Sequence, residues 1–213
     1  MKKYKKTLIL TGIITLMPIL IGVLLWDQLP ERMATHFGSD GTPNGWSSRG
    51  FVVFGLPLFL VAMQVLGMGV TLADPKKNNI NEKLMGLILW LIPIISVLGE
   101  LHIYGYALGF QQNVIVYVSG LLGLLFIIIG NYLPKCRQNY TMGIKLPWTL
   151  ADEENWNHTH RMAGYLWIIG GFIMIANVFL NWEWLIFVAM VLMVLVPAAY
   201  SYLYYKKHGS SEN

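Results

Sequence analysis

Charge is what this sequence has least of. Lys, Arg, Asp and Glu make up 12% of its 213 residues, whereas a soluble domain carries roughly a quarter. Fifteen basic and eleven acidic side chains cannot wet a globule of this length. A single cysteine excludes a disulfide framework and a Cys-based zinc site. Disorder is excluded as well, because 55% of the residues are hydrophobic and such a chain buries itself. The sequence has no nucleophile elbow, P-loop, dinucleotide fingerprint or H-E-x-x-H, so no catalytic residue, cofactor or metal is assigned. The two halves show no inverted repeat, which argues against a secondary transporter. The net charge of +4 invites a nucleic-acid reading, but the charges lie between long apolar runs. This is the pattern of an integral membrane protein with no direct nucleic-acid contact.

What is present is six runs of membrane length. A helix crosses the hydrocarbon core with about 20 apolar residues. Residues 7–26, 51–73, 84–110, 112–133, 162–180 and 184–205 meet that need, and only the third carries an ionisable pair, Glu100 and His102. The runs lack strand alternation, and barrel strands need only about ten residues. Helices satisfy their backbone internally, as hydrocarbon demands. The expected fold is an all-α integral membrane protein of six transmembrane helices. The first run follows Lys2, Lys3, Lys5 and Lys6 but has no small-residue cleavage site at Trp26–Pro30, so it reads as a retained helix.

Lys and Arg accumulate in cytoplasmic loops. Thirteen fall at the amino terminus, in 74–83, in 134–161 and in the tail, against Arg32 and Arg49 on the other side. Both termini are therefore expected in the cytoplasm. Two regions follow: residues 1–83, a two-helix region with a structured outer loop at 27–50, and 84–213, a four-helix region with a cytoplasmic loop at 134–161.

Two short loops and a few intramembrane polar groups are left to carry function. The outer loop is dense in turn residues; Asp40-Gly41 and Asn44-Gly45 are turn dipeptides. His36, Asp40 and Arg49 are placed to meet a ligand from outside, with Trp46 at the interface; the plainer alternative is a tight connector. In the inner loop, Thr149 and Asp152 resemble a capping box, so a helix is expected from near Leu150 through Trp156, His160 and Arg161 into the fifth span. His158 and His160 point to different sides of that helix, and only Glu154 and His158 share a face, which makes a solvated, capped helix the plainer reading than a metal site. Glu100 lies about 15 Å inside its span at 1.5 Å per residue. Such a group is a functional candidate by default, although a neutral, hydrogen-bonding role serves as well. Gln64, in the second span, is positioned to meet it, with His102 facing another direction.

The loops also carry a resemblance. Gly130-Asn131-Tyr132-Leu133-Pro134-Lys135, Asn139-Tyr140, Gly143-Ile144-Lys145-Leu146-Pro147-Trp148-Thr149-Leu150, Trp156, His160-Arg161 and Gly164 resemble the signature of the SdpI family, bacterial immunity proteins against a secreted, cannibalism-type antimicrobial peptide toxin. Leu29-Pro30, His36-Phe37, Gly41, Pro43 and Asn44 resemble the amino-terminal domain often joined to it. Lys145 stands where the family usually has Arg, keeping the charge but losing the bidentate fork. The resemblance implies a non-enzymatic immunity protein of the bacterial cell membrane. It implies a toxin-binding outer face around His36, Phe37, Asp40, Trp46 and Arg49. It also implies a cytoplasmic face for a small winged-helix repressor, formed by Asn131, Pro134, Asn139, Gly143, Lys145, Pro147, Trp148, Thr149, Trp156, His160 and Arg161. The competing readings are a small transporter or channel using Glu100 and Gln64, and a membrane-embedded metal-dependent hydrolase using Glu154 and His158.

Overall fold

The structure is a computed structural model, and residues 4–38, 40–80, 82–110 and 113–208 are described. Lys2 and Lys3, counted in the charge bias, and Gln112, at the start of the fourth run, lie outside the described residues. Among the described residues seven α-helices form: α1 (Lys5–Leu24), α2 (Leu56–Ala73), α3 (Glu82–Ala107), α4 (Val114–Tyr132), the short α5 (Pro147–Ala151), α6 (Glu153–Leu180) and α7 (Glu183–His208). All except α5 give a segment long and apolar enough to cross a membrane, so the six expected spans are present and the chain is a multi-pass membrane protein. The fully apolar flanks suit lipid: Leu24, Phe179 and Leu203 are all exposed.

The chain forms two compact units, one of Met1–Ala73 with Glu82–Asn113 and the other of Asp74–Asn81 with Val114–Asn213. In the first, α1, α2 and α3 pack on one another; α3, which the sequence-based division groups with the carboxy-terminal region, packs here. The loop after α1 adds something to the helical class, a two-stranded antiparallel hairpin of β1 (Arg32–Phe37) and β2 (Pro43–Ser48). Asp40-Gly41 does turn the chain, with Gly41 at φ 76°. Asn44-Gly45, expected to be a turn, lies within β2 instead. Its glycine serves packing, because a Cβ there would stand 2.9 Å from the Cβ of His36 on the facing strand.

A single π-helical turn, Phe51–Gly55, leads into α2. It buries two consecutive valines, Val52 and Val53, in one core with Leu29, Met33, Ile103 and Tyr104. The i→i+5 bonding of a π turn puts more residues in each turn than an α-helix, which narrows the angle between these neighbours.

In the second unit α6 packs against both α4 and α7. The α4–α6 contact is made by glycines seven residues apart. A Cβ on Gly123 would lie 2.7 Å from the Gly171 carbonyl, and one on Gly130 would lie 2.9 Å from that of Gly164. Small residues let two backbones approach in hydrocarbon, where apolar burial gives no drive for association. The inner helix expected from Leu150 is broken. Asp152 is extended (φ −129°, ψ 118°) and its side chain accepts from Glu154 N, so it caps α6 afresh while α5 ends at Ala151. The expected role of Thr149 changes accordingly. Its hydroxyl accepts from Leu146 N at 2.9 Å and donates back to the Ile144 carbonyl at 2.8 Å, closing the first turn of α5.

Candidate functional site

The hairpin is packed into the first unit. Met33 and Ala34 are buried, and the Phe37 ring meets Tyr106 edge-on at 5.0 Å and His102 at 5.8 Å, both on α3. At its base Arg49 Nη1 donates to the carbonyls of Trp26 (2.7 Å) and Leu29 (3.0 Å), and the guanidinium lies 4.3 Å over the Trp26 ring. Of the five residues assigned to a toxin-binding face, Phe37 and Arg49 are therefore occupied in holding the hairpin. The other three lie on its open side. Trp46 is 50% exposed, and His36 Nδ1 pairs with Asn44 Oδ1. Asp40 accepts from the backbone N–H of Thr42 (2.9 Å) and from its hydroxyl (2.8 Å); these bonds hold its carboxyl below the ordinary carboxylate range. The open face thus offers an indole, an imidazole and a carboxylate on a fixed scaffold.

The intramembrane polar groups form two clusters in the first unit. Gln64 donates to Thr11 Oγ1 and to the Leu89 carbonyl, each at 2.8 Å, tying α2 to α1 and α3. Glu100 sits with Ser96 (3.0 Å), whose hydroxyl also reaches the Thr15 carbonyl, and with Tyr104 (3.4 Å), whose hydroxyl also reaches the Pro18 carbonyl. The expected meeting of Gln64 with Glu100 does not occur. Gln64 reaches α3 at Leu89, eleven residues and about 16 Å along the helix from Glu100. Two hydroxyls, of Ser96 and Tyr104, serve four acceptor contacts around Glu100. The cluster has the make-up of a hydrogen-bonded clasp between α1 and α3.

The 134–161 segment folds back on itself as a cap at the ends of α4 and α6. Asn139 Oδ1 accepts from the N–H of Thr141 (2.9 Å) and of Met142 (2.7 Å), and its amide donates to the Arg137 carbonyl at 2.8 Å. Trp156 is fully buried and its indole N–H donates to the Cys136 carbonyl at 2.7 Å. His160 Nε2 accepts from Ile144 N at 2.9 Å, which places the ring proton on Nδ1, facing the Trp156 carbonyl at 2.8 Å. Gly143 rides over this pair at φ 106°; a Cβ there would run into His160 Nε2. Pro134 abuts Gly164, where a Cβ would lie 2.6 Å from the proline ring. Trp148 donates to Ser201 Oγ at 2.8 Å and packs on the rings of Tyr202 and Tyr205. Lys145 donates to the Thr141 carbonyl at 3.0 Å, and Asn131 accepts from Lys135 Nζ at 3.2 Å. Pro147 opens α5, while Arg161 is exposed on α6. Most of the residues assigned to a repressor-binding face are thus the internal framework of the cap.

Two residues of this framework escaped sequence reasoning. Asp74 accepts from Lys76 N (2.7 Å), Tyr140 N (2.8 Å) and Thr141 Oγ1 (2.7 Å). Burial pushes its carboxyl up, but the Thr141 hydroxyl and the backbone donors outweigh burial and hold it below the ordinary range. Gln138 donates to the carbonyls of Thr149 (2.9 Å) and Leu150 (3.0 Å), its own carbonyl accepts from Asn79, and its side-chain oxygen accepts from Lys76. The signal available was local: Asp74-Pro75 at a span end is a turn former, though its partner is 66 residues away. Burial also raises the Cys136 thiol, against a smaller lowering by Asn139. Among the described residues no group of three or more His, Cys, Asp or Glu is placed to hold a metal ion; His158 and Glu154 pair at 3.8 Å on the α6 surface.

Residues 135–201 match the SdpI/YfhL protein family, and residues 13–61 match a domain of unknown function (DUF1648). Over 210 residues the chain is 26% identical to the Immunity protein SdpI of Bacillus subtilis (strain 168), covering 95% of this chain and 98% of that protein. No solved structure matches. The resemblance read from the loop motifs is borne out, and the first match spans most of the cap while the second spans the hairpin.

Proposed function

We propose that this chain, similar along nearly its whole length to the Immunity protein SdpI of Bacillus subtilis, is a multi-pass immunity protein that protects its cell from a secreted antimicrobial peptide. The observation that carries this reading is the full-length correspondence to a protein named for immunity. The charge distribution supports cytoplasmic termini, which puts the hairpin outside the cell. In this reading the open face of the hairpin receives the peptide, with Trp46 supplying an apolar contact and His36 and Asp40 polar ones. Phe37 and Arg49 act as positioning residues, because their contacts go to the scaffold. Expression in a toxin-sensitive cell should raise the dose needed to kill it. Trp46→Ala and Asp40→Ala should reduce that protection at unchanged membrane abundance; full protection by the double variant would remove the hairpin from recognition. Glu100→Gln should keep protection, since an amide can still clasp Ser96 and Tyr104, whereas abolition at normal abundance would favour a transport mechanism.

We further infer that the cap is a cytoplasmic docking face for a small winged-helix repressor, held at the membrane when toxin engages the hairpin. Exposed Tyr140 and Lys145 support this reading, since both stand on the surface of a framework that is otherwise satisfied internally. Lys145→Glu should abolish toxin-dependent reporter induction while sparing protection. Simultaneous loss of both would argue against a separate signalling surface.

A further inference from the structure

The cap contains a cavity that shares Pro134 and Arg161 with the residues first assigned to a repressor face, while the exposed Tyr140 and Lys145 lie outside its walls. It measures about 360 Å³ and is walled by Lys135, Arg137, Glu153, Asn157 and Arg161, with Cys136 beside them. Three cations thus face one carboxylate. Glu153, Asn157 and Arg161 recur every four residues and so share one face of α6. Arg137 comes from the loop opposite, its backbone fixed by the Asn139 amide at 2.8 Å. Among the described residues neither Arg137 nor Arg161 has a carboxylate within ion-pair distance; the pair present on this part of α6 is His158 with Glu154. Lys135 Nζ is held by Asn131 at 3.2 Å and lies 5.4 Å over the Tyr132 ring.

The depth of the cavity indicates what fills it. Lys135 stands two residues after the apolar run 112–133, and Arg161 directly precedes the apolar run 162–180. The cavity therefore opens where helices leave the hydrocarbon, at the level of the lipid phosphates. Guanidinium forks match phosphate oxygens in a bidentate manner, and basic pockets between membrane helices take anionic headgroups. With one carboxylate, Glu153, against Lys135, Arg137 and Arg161, the cavity wall is net positive, and an anion between the two guanidinia is attracted by both. We propose that this cavity binds the phosphate of an anionic membrane lipid, seating the headgroup between Arg137 and Arg161. This inference stands apart from the immunity reading, because it rests on the cavity alone and is tested by binding.

The test uses the purified full chain in nanodiscs of phosphatidylcholine with increasing phosphatidylglycerol, read by thermal unfolding and by native mass spectrometry of retained lipid. Phosphatidylglycerol should raise the unfolding temperature to a plateau and co-purify with the protein. The R137Q/R161Q double variant should weaken retention about tenfold or more, the scale of one lost charge-assisted contact. R137K/R161K should fall between, since charge remains and the fork is gone. K206Q/K207Q removes the same charge from the tail of α7 and should bind as the parent does. Equal weakening by both glutamine pairs would show diffuse surface attraction and overturn the site. No weakening by R137Q/R161Q would do the same. Stabilisation by inorganic phosphate in pure phosphatidylcholine, with no added effect of phosphatidylglycerol, would assign the cavity to a free anion and overturn the lipid assignment.

Discussion

Gly143 shows how much of the signature is conformational. Its φ of 106° is one that side-chain-bearing residues rarely adopt, and the space a Cβ would need is taken by His160 and Trp156. Gly143→Ala should cost roughly 1–3 kcal/mol from the backbone alone, read as a lower unfolding temperature in detergent, with the buried Trp156 fluorescence reporting loosening of the cap. Asp74 carries the one pH-dependent expectation. Its folded carboxyl titrates below the unfolded value of about 3.9. Its contribution is therefore complete above that value and lost as pH falls through the folded one. Asp74→Asn should be less stable at neutral pH, because an amide turns an NH₂ group towards donors, at a cost of about 1–3 kcal/mol. It should also lose less stability than the parent as pH falls below about 4, the ordinary carboxylate value. Parallel stability curves for the two proteins would refute the assignment.

At the scale of elements, the decisive device is the glycine pair on each of α4 and α6. Gly123→Ala places a methyl 2.7 Å from a backbone carbonyl that has no rotamer to escape into, so the helices must separate. Overpacking of this kind costs about 1–3 kcal/mol. Gly120→Ala is the matched control on the same helix. Its Cβ would meet the nearest atom, Val178 Cγ2, at 3.7 Å, an ordinary contact, so its stability should stay within about 0.5 kcal/mol of the parent. Equal loss for both variants in an unfolding titration would mean that the close approach is not what holds α4 to α6. The hairpin depends in the same way on its base. Arg49 joins two carbonyls and a ring that lie 20 to 23 residues earlier in the chain, a task a lysine cannot perform because it lacks the planar fork.

For the molecule as a whole, the charge count makes a topological prediction. With Cys136 replaced by Ser, a cysteine introduced at Asp40 should react with a membrane-impermeant maleimide in intact cells. One introduced at Lys145 should react only after lysis. The reverse pattern would invert the orientation and place the cap, not the hairpin, before an extracellular peptide. Conversely, labelling of both positions in intact cells would contradict the assigned crossings.

What the sequence determined by itself was the solvent. Six apolar runs of membrane length can be satisfied only by helices in lipid, and the inner-loop motif marked its segment by the family it resembles. Local chemistry also marked Asp40-Gly41 as a turn. Tertiary structure decided what those residues do. Asn44-Gly45 carries the same turn chemistry as Asp40-Gly41 yet lies in a strand, because pairing with β1 fixed its backbone and His36 took the space beside Gly45. Arg49 and Phe37 look free in a loop and are anchors in the fold. Gln64 and Glu100 look like partners in depth but meet α3 about 16 Å apart along its axis, since helix rotation and rise are not written in hydropathy. Asp74 and Tyr140 join over 66 residues. Such a pairing satisfies a carboxylate only once the chain has closed around it, and no periodicity in the sequence encodes that closure.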